Sequence, residues 1–180
     1  MGVFWEKGYE ATTTDDLRNA MSIGRQSLYD TFGDKHRLFL EAFALYNSES
    51  SAAFRSMLED TPSALAGIER VLMAVPSQTA AGRSRGCLFV NTASELSAKD
   101  DEVACVVRTL RASGEAQFER AVRRAQAAGE IARGGDARAL GRFLFSTLQG
   151  LRLTAKSGAP PEFLRDIARV ALAALGVERQ

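Results

Sequence analysis

The chain has 180 residues, 46% of them hydrophobic and 25% charged, which suits a folded chain of one domain or two small ones and excludes a disordered polymer. A formal net charge of only +1 means that any role with nucleic acid must come from a local patch. No apolar run nears the ~20 residues of a membrane span, the N-terminus lacks a secretory signal, and two cysteines with one histidine exclude a zinc-type cluster.

Taken in chain order, Thr13 opens a short helix, with Asp16 three residues on, where its carboxylate meets free amide donors. Leu17, Ala20 and Met21 are expected to face inward. Ser22-Ile23-Gly24 has the length of the turn in a helix-turn-helix, with Ile23 as its apolar plug. The second helix is predicted from Arg25 to Thr31, burying Leu28 and Phe32 and exposing Arg25, Gln26 and Ser27. The first residues of such a helix meet base edges in the major groove. Arg binds guanine in a bidentate manner, Gln binds adenine, and Ser pairs with either. Tyr29 offers a hydroxyl and Lys35 a charge, both suited to phosphate.

Beyond this point Phe39, Ala42, Phe43, Leu45 and Tyr46 form one apolar stripe of a helix that starts near Leu38. Further helical series follow at Leu65-Ile68-Leu72-Val75, Val103-Val106-Leu110, Leu140-Phe143-Leu144-Leu148-Leu151 and Leu164-Ile167-Ala171-Leu175. The four prolines punctuate them, Pro76–Gly86 reads as the main loop, and Lys156–Pro161 as the second. Almost nothing alternates with period two, so the fold class is all-α, with about eight or nine helices. His36 reads as solvated or on the phosphate side, and Cys87 and Cys105 as small buried apolar groups. Arg108, Arg111, Arg120, Arg123 and Arg124, interleaved with Glu115 and Glu119, read as a solvated face with Glu119 and Arg123 as a helix-spaced pair.

Polar Asn91, Thr92, Thr147 and Gln149 sit among Phe89, Phe118, Phe143 and Phe145 in otherwise apolar helices. Such groups need partners, and either neighbouring protein groups or a small molecule would serve. Phe89, Asn91, Thr92, Phe118, Phe145 and Gln149 are the candidate ligand pocket. The last two helices are apolar on more than one side and carry Ala139, Gly141, Ala168, Ala171 and Ala174, which allow close helix approach, with one apolar face expected against the chain's own body and one against a second chain.

The stretch FWEKGYEATTTDDLRNAMSIGRQSLYDTFGDK, Phe4 to Lys35, closely resembles the DNA-binding domain of the TetR family of transcriptional regulators. Gly8-Tyr9, Ala11-Thr12-Thr13, Leu28-Tyr29, Phe32 and Lys35 are the matching positions. RGCLFVNTASEL, Arg85 to Leu96, looks like the start of a regulatory-domain helix in one branch of that family. The resemblance implies a three-helix DNA-binding head, residues 1–46 with the start of a linking helix, and a helical ligand-binding and dimerisation body over residues 47–180. It implies a homodimer, paired through its last two helices, on a palindromic double-stranded DNA operator, most often as a repressor released by a small-molecule effector; the composition points to a cytoplasmic protein. On this reading Arg25, Gln26 and Ser27 read bases while Thr13, Tyr29 and Lys35 hold phosphates, and no cofactor, metal, catalytic residue or membrane is involved.

Three departures stand out. The family usually has Gly at the position of Ser22 and Ser or Asn at that of Gly24, so Ser22 is expected to take a left-handed backbone unless the two have exchanged roles. Many relatives have an aromatic residue or His at the position of Thr31. The family's first helix normally begins well before the position of Phe4, often after a basic arm, so a shortened or misassigned start at Met1 is expected. Met1 to Leu40 holds five Lys or Arg against six Asp or Glu, a weak attraction for phosphate. The alternative is therefore a helical ligand-binding protein that has lost DNA binding together with that arm. An enzyme on the same body lacks a nucleophile, metal or phosphate-loop motif.

Overall fold

The computed structural model describes residues 1–176, and among these every regular element is a helix. In order they are α1 (Gly2–Lys7), α2 (Thr14–Met21), α3 (Arg25–Phe32), α4 (Lys35–Glu59) and α5 (Ala64–Ala74). After these come α6 (Ala80–Arg85), α7 (Leu88–Leu96), α8 (Asp101–Ala127), α9 (Ala137–Lys156) and α10 (Pro161–Ala173). The chain divides into two compact units: Met1–Ser50 with Cys87–Val107, and Ser51–Gly86 with the chain from Arg108 onward.

The first unit is built around aromatic rings. Phe4 of α1 meets Phe39 of α4 edge-on at 5.2 Å, Tyr9 meets Phe39 at 5.0 Å, and Phe39 stacks on Phe43 at 5.7 Å. Trp5 meets Tyr46 edge-on at 4.7 Å. Leu17 and Leu28, one from each helix of the helix-turn-helix, are buried in the same unit, as are Leu88, Leu96 and Val103. Each such side chain taken fully from water contributes about 1.5–3 kcal/mol. Asp34 starts α4, its carboxylate accepting from the Arg37 amide at 2.8 Å. Cys87–Val107 joins this unit although it follows the residue-46 division, because α7 and the start of α8 supply part of its core.

The second unit centres on Ile68, Leu72, Phe118, Val122, Leu144, Leu151 and Leu164, all fully buried. Phe118 meets Phe54 edge-on at 5.0 Å. Glu130 ties the start of α5, its Oε2 accepting from the Leu65 amide at 2.7 Å and the Ser63 hydroxyl at 3.1 Å. Gly141 lets α9 approach α8 closely: a Cβ there would lie 2.8 Å from the Glu119 nitrogen and 2.9 Å from the Glu115 carbonyl oxygen.

Several expectations are corrected by the packing. Ten helices form among the described residues, the extra one arising inside the expected Pro76–Gly86 loop. Thr79 caps it by accepting from the Gly82 amide at 3.1 Å, and the Ala80-Ala81 start favours helix over the loop that Gly and Ser suggested. Lys156–Pro161, by contrast, does hold the connection between α9 and α10. Ala20, Leu45 and Phe143 face outward, and Phe32 is only half-buried. Cys105 is exposed while Cys87 is buried. The expected charged face of α8 is present, with Arg123 to Glu119 at 2.7 Å and Arg111 to Glu115 at 3.6 Å.

Candidate nucleic-acid interface

The local sequence sets the start of α2 firmly. Thr13 has extended backbone, its hydroxyl oxygen accepts from the Asp16 amide at 3.1 Å, and its own amide donates to Asp16 Oδ2 at 2.9 Å. This reciprocal box satisfies helix-end donors that otherwise lack partners. Lys7 of α1 adds an ion pair to Asp16 Oδ1 at 2.5 Å. Lys7, and then the Thr13 amide, hold the Asp16 carboxyl at about 2, below its usual 3.8. Thr12, buried beside it, donates its hydroxyl to the Gly8 carbonyl at 2.5 Å.

The turn follows the expectation for Ser22 and not the exchanged alternative. Ser22 is left-handed, with φ 55° and ψ 39°, and it is the one non-glycine residue with positive φ among those described. Gly24 is extended, with φ −70° and ψ 159°, and stands as the residue before α3. Lacking a side chain, Gly24 leaves the first turn of α3 without a side-chain cap. Amides at such a helix start face outward towards any anion that approaches.

α3 runs to Phe32, one residue past the expected end, and turns Leu28 into the core while leaving Arg25, Gln26 and Ser27 exposed. These three are therefore brought together at one tip. Gln26 Nε2 donates to Asp30 Oδ1 at 2.8 Å, which orients the amide along the helix. The Arg25 guanidinium carbon lies 5.8 Å from the centre of the Tyr29 ring. A hydrogen bond with Thr14, and then one with Arg25, lower the pKa of the exposed Tyr29 phenol. Arg25 and Tyr29 thus form a pair at the tip.

Lys35 has a second role that its sequence position did not reveal. Its Nζ donates to the carbonyls of Tyr9 at 3.1 Å and Thr12 at 3.0 Å, and lies 4.3 Å from the centre of the Tyr9 ring. An ammonium has three donors, and two of them are used on these carbonyls. His36 is not simply solvated: its Nε2 lies 2.7 Å from Asp100 Oδ2. The backbone amides of Tyr9 and Glu10 donate to the carboxylate of Glu95, a residue that the sequence did not single out. Nothing local could have marked it, because its partners lie 86 and 85 residues away.

The candidate pocket residues fall in both units. Phe89 and Asn91, half-buried, and Thr92, buried, lie on α7 in the first. Phe118, Phe145 and Gln149 lie in the second. Phe145 packs so closely on Gly114 that a Cβ there would stand 2.2 Å from its ring. Both polar atoms of the Gln149 amide are shielded from solvent and have no hydrogen-bond partner. Among the described residues no helix is long and apolar enough to cross a membrane, and no three metal-ligating side chains gather.

A capped first helix, a three-residue turn and a second helix with an apolar inner face and a polar exposed tip define a helix-turn-helix protein. Comparison with known families agrees: residues 1–42 match "Bacterial regulatory proteins, tetR family", and residues 64–171 match "Tetracyclin repressor-like, C-terminal domain". The uncharacterized HTH-type transcriptional regulator YezE of Bacillus subtilis (strain 168) is 34% identical over 175 residues, covering 96% of this chain and 90% of its own. The HTH-type transcriptional repressor ComR of Escherichia coli (strain K12) is 30% identical over 176 residues, covering 96% and 83%. Among solved structures, a cysteine mutant of the TetR family regulator CifR, complexed with 26-bp double-strand operator DNA, superposes with a TM-score of 0.84. It is 32% identical and covers 96% of this chain and 91% of its own. The chain belongs to the TetR family of transcriptional regulators. It is a DNA-binding regulator and not an enzyme.

Proposed function

We propose that this regulator is a cytoplasmic repressor that binds a palindromic double-stranded operator as a homodimer and leaves it when a small-molecule effector binds its body. The observation that carries the reading is the tip of α3, where Arg25, Gln26 and Ser27 stand exposed together directly after an uncapped helix start. Arg25 would read a guanine, Gln26 an adenine once it leaves Asp30, and Ser27 either base. Thr13, Tyr29 and the remaining donor of Lys35 would hold phosphates and so set the register of α3. ComR, named as a repressor, and CifR, solved on operator DNA, support the same sense of action.

The outward faces of α9 and α10 support pairing. On α9, Ala139, Phe143, Ser146, Gly150 and Leu153 are exposed in one helical stripe, with Phe143 at 42% and Leu153 at 52%. On α10, Phe163 is 53% and Val170 70% exposed, again on one side. Gly141, Ala168 and Ala171 are already buried within their own unit, so a second copy would meet the larger apolar groups instead. A palindromic operator calls for such a two-fold pair, since its half-sites lie about one DNA turn apart and each takes one reading helix. The unpartnered amide of Gln149 supports a ligand in the body, since a buried unmade hydrogen bond costs about 1–3 kcal/mol until something pairs with it.

The reading is tested by selecting duplexes from a random pool with the full chain and titrating the enriched sequence. An inverted repeat bound by a dimer is expected. Enrichment of nothing, with a stable dimer that still takes up small molecules, would favour the helical ligand-binding alternative.

A further inference from the structure

The segment Arg85–Leu96 holds none of the residues proposed above for base or phosphate contact, yet Glu95 near its end lies against the α1–α2 turn. Glu95 Oε2 accepts from the Tyr9 amide at 3.1 Å and Oε1 from the Glu10 amide at 2.8 Å. The same carboxylate covers Gly8, whose φ is +82° and where a Cβ would stand 2.8 Å from Oε2. Gly8 therefore meets two demands, a backbone conformation that side chains resist and room for a charged group. The turn so held is the one that Lys35 grips through the Tyr9 and Thr12 carbonyls. It leads directly to Thr13, the cap of α2, and α2 packs on α3. The chain on either side of Glu95 is fastened too, with Cys87 Sγ 3.3 Å from the Tyr46 hydroxyl and Asp100, just past the segment, on His36 at 2.7 Å.

We propose that Glu95 is a positioning residue for DNA recognition. Through the amides of Tyr9 and Glu10 it sets the α1–α2 turn, and with it α2 and the reading helix, so that the place of α7 decides the place of the α3 tip. A carboxylate accepting two amides makes stronger bonds than neutral groups do, and its removal takes the protein acceptor from the part-buried Tyr9 amide and leaves the exposed Glu10 amide to water. This inference rests on the regulator reading above. It adds a residue outside the proposed DNA contacts, 60 positions along the chain from the nearest of them, Lys35.

A group that only caps a turn would alter stability and leave the affinity of folded protein unchanged. The test uses the full chain, Glu95→Ala and Glu95→Gln, each titrated by fluorescence anisotropy against the duplex that the wild-type chain enriches from a random pool. Amide hydrogen exchange at Tyr9 and Glu10 is followed in parallel. Glu95→Ala should lose affinity by about tenfold or more with its helix content unchanged and exchange at those two amides accelerated. Glu95→Gln keeps one acceptor oxygen and should fall between. If Glu95→Ala does not fold, Glu95→Gln carries the same two readouts. Faster exchange at Tyr9 and Glu10 with affinity kept within about twofold would overturn the inference alone. A wild-type chain that enriches no duplex would instead overturn the regulator reading, and this inference with it.

Discussion

Arg25 and Lys35 divide the work of recognition in a way that two substitutions separate. Arg25 is exposed and lies over the ring of its neighbour Tyr29 at the tip. Arg25→Ala should therefore leave the melting temperature near that of the wild type and relax preference at one base position by about 1–3 kcal/mol, read by titration against single-base operator variants. Lys35 is tied to two carbonyls as well as available to phosphate. Lys35→Met should weaken binding to every duplex, reduce the salt dependence by about one phosphate contact and also lower the melting temperature. Ser22 should respond in the opposite direction: Ser22→Gly relieves a left-handed backbone and should raise stability by about 0.5–1 kcal/mol in urea denaturation. Asp16 carries the clearest pH signature. Its folded pKa of about 2 lies below the ordinary 3.8, so its contribution is present above that ordinary value and is lost as pH falls towards 2. Asp16→Asn should therefore flatten the acid limb of the stability curve over that range. The box of Thr13 and Asp16 was legible because both partners lie within one turn of sequence. The ties of Lys35 to Tyr9 and Thr12, and of Glu95 to the same turn, were not, because they arise only when separate helices meet.

At the scale of elements, apolar periodicity located the helices but not all of their faces. The stripe of α4 placed Phe39, Ala42, Phe43 and Tyr46 in the core and wrongly included Leu45, since a single window cannot show which flank of a stripe finds a partner. α6 was hidden because Gly82 and Ser84 mimic a loop, while the Thr79 cap that starts it is a local signal that composition alone overrides. The small residues of α9 and α10 pointed to close packing, and Gly141 shows that part of it is internal. Gly141→Leu should push α9 from the backbone of α8 and cost about 1–3 kcal/mol, measured by urea unfolding. The exposed stripes make a separate claim. Val170→Glu, at the most exposed large apolar position, should leave the helix content intact and shift the chain from dimer to monomer in sedimentation velocity, whereas an unchanged mass would remove α10 from the pairing face.

At the scale of the whole molecule, the family was readable from the first residues because a helix-turn-helix is a local motif with fixed spacing. Less readable was the way in which the chain divides. Cys87–Val107 returns to the unit of the head after an excursion of some dozens of residues, and only tertiary contact reveals that. This return gives the Arg85–Leu96 motif its meaning, since it delivers Glu95 and the neighbouring Asp100 to the head. The central claim, that an exposed α3 tip reads operator DNA, is met most directly by one titration. The full chain and Arg25→Ala are measured by fluorescence anisotropy against the enriched duplex and a scrambled one, across a salt series. Tight, salt-sensitive binding of the wild type to the enriched duplex is expected, and for Arg25→Ala a loss confined to that duplex while the scrambled one is held as before. Equal affinity of the wild type for both duplexes, or an Arg25→Ala chain that discriminates as well as the wild type, would contradict it.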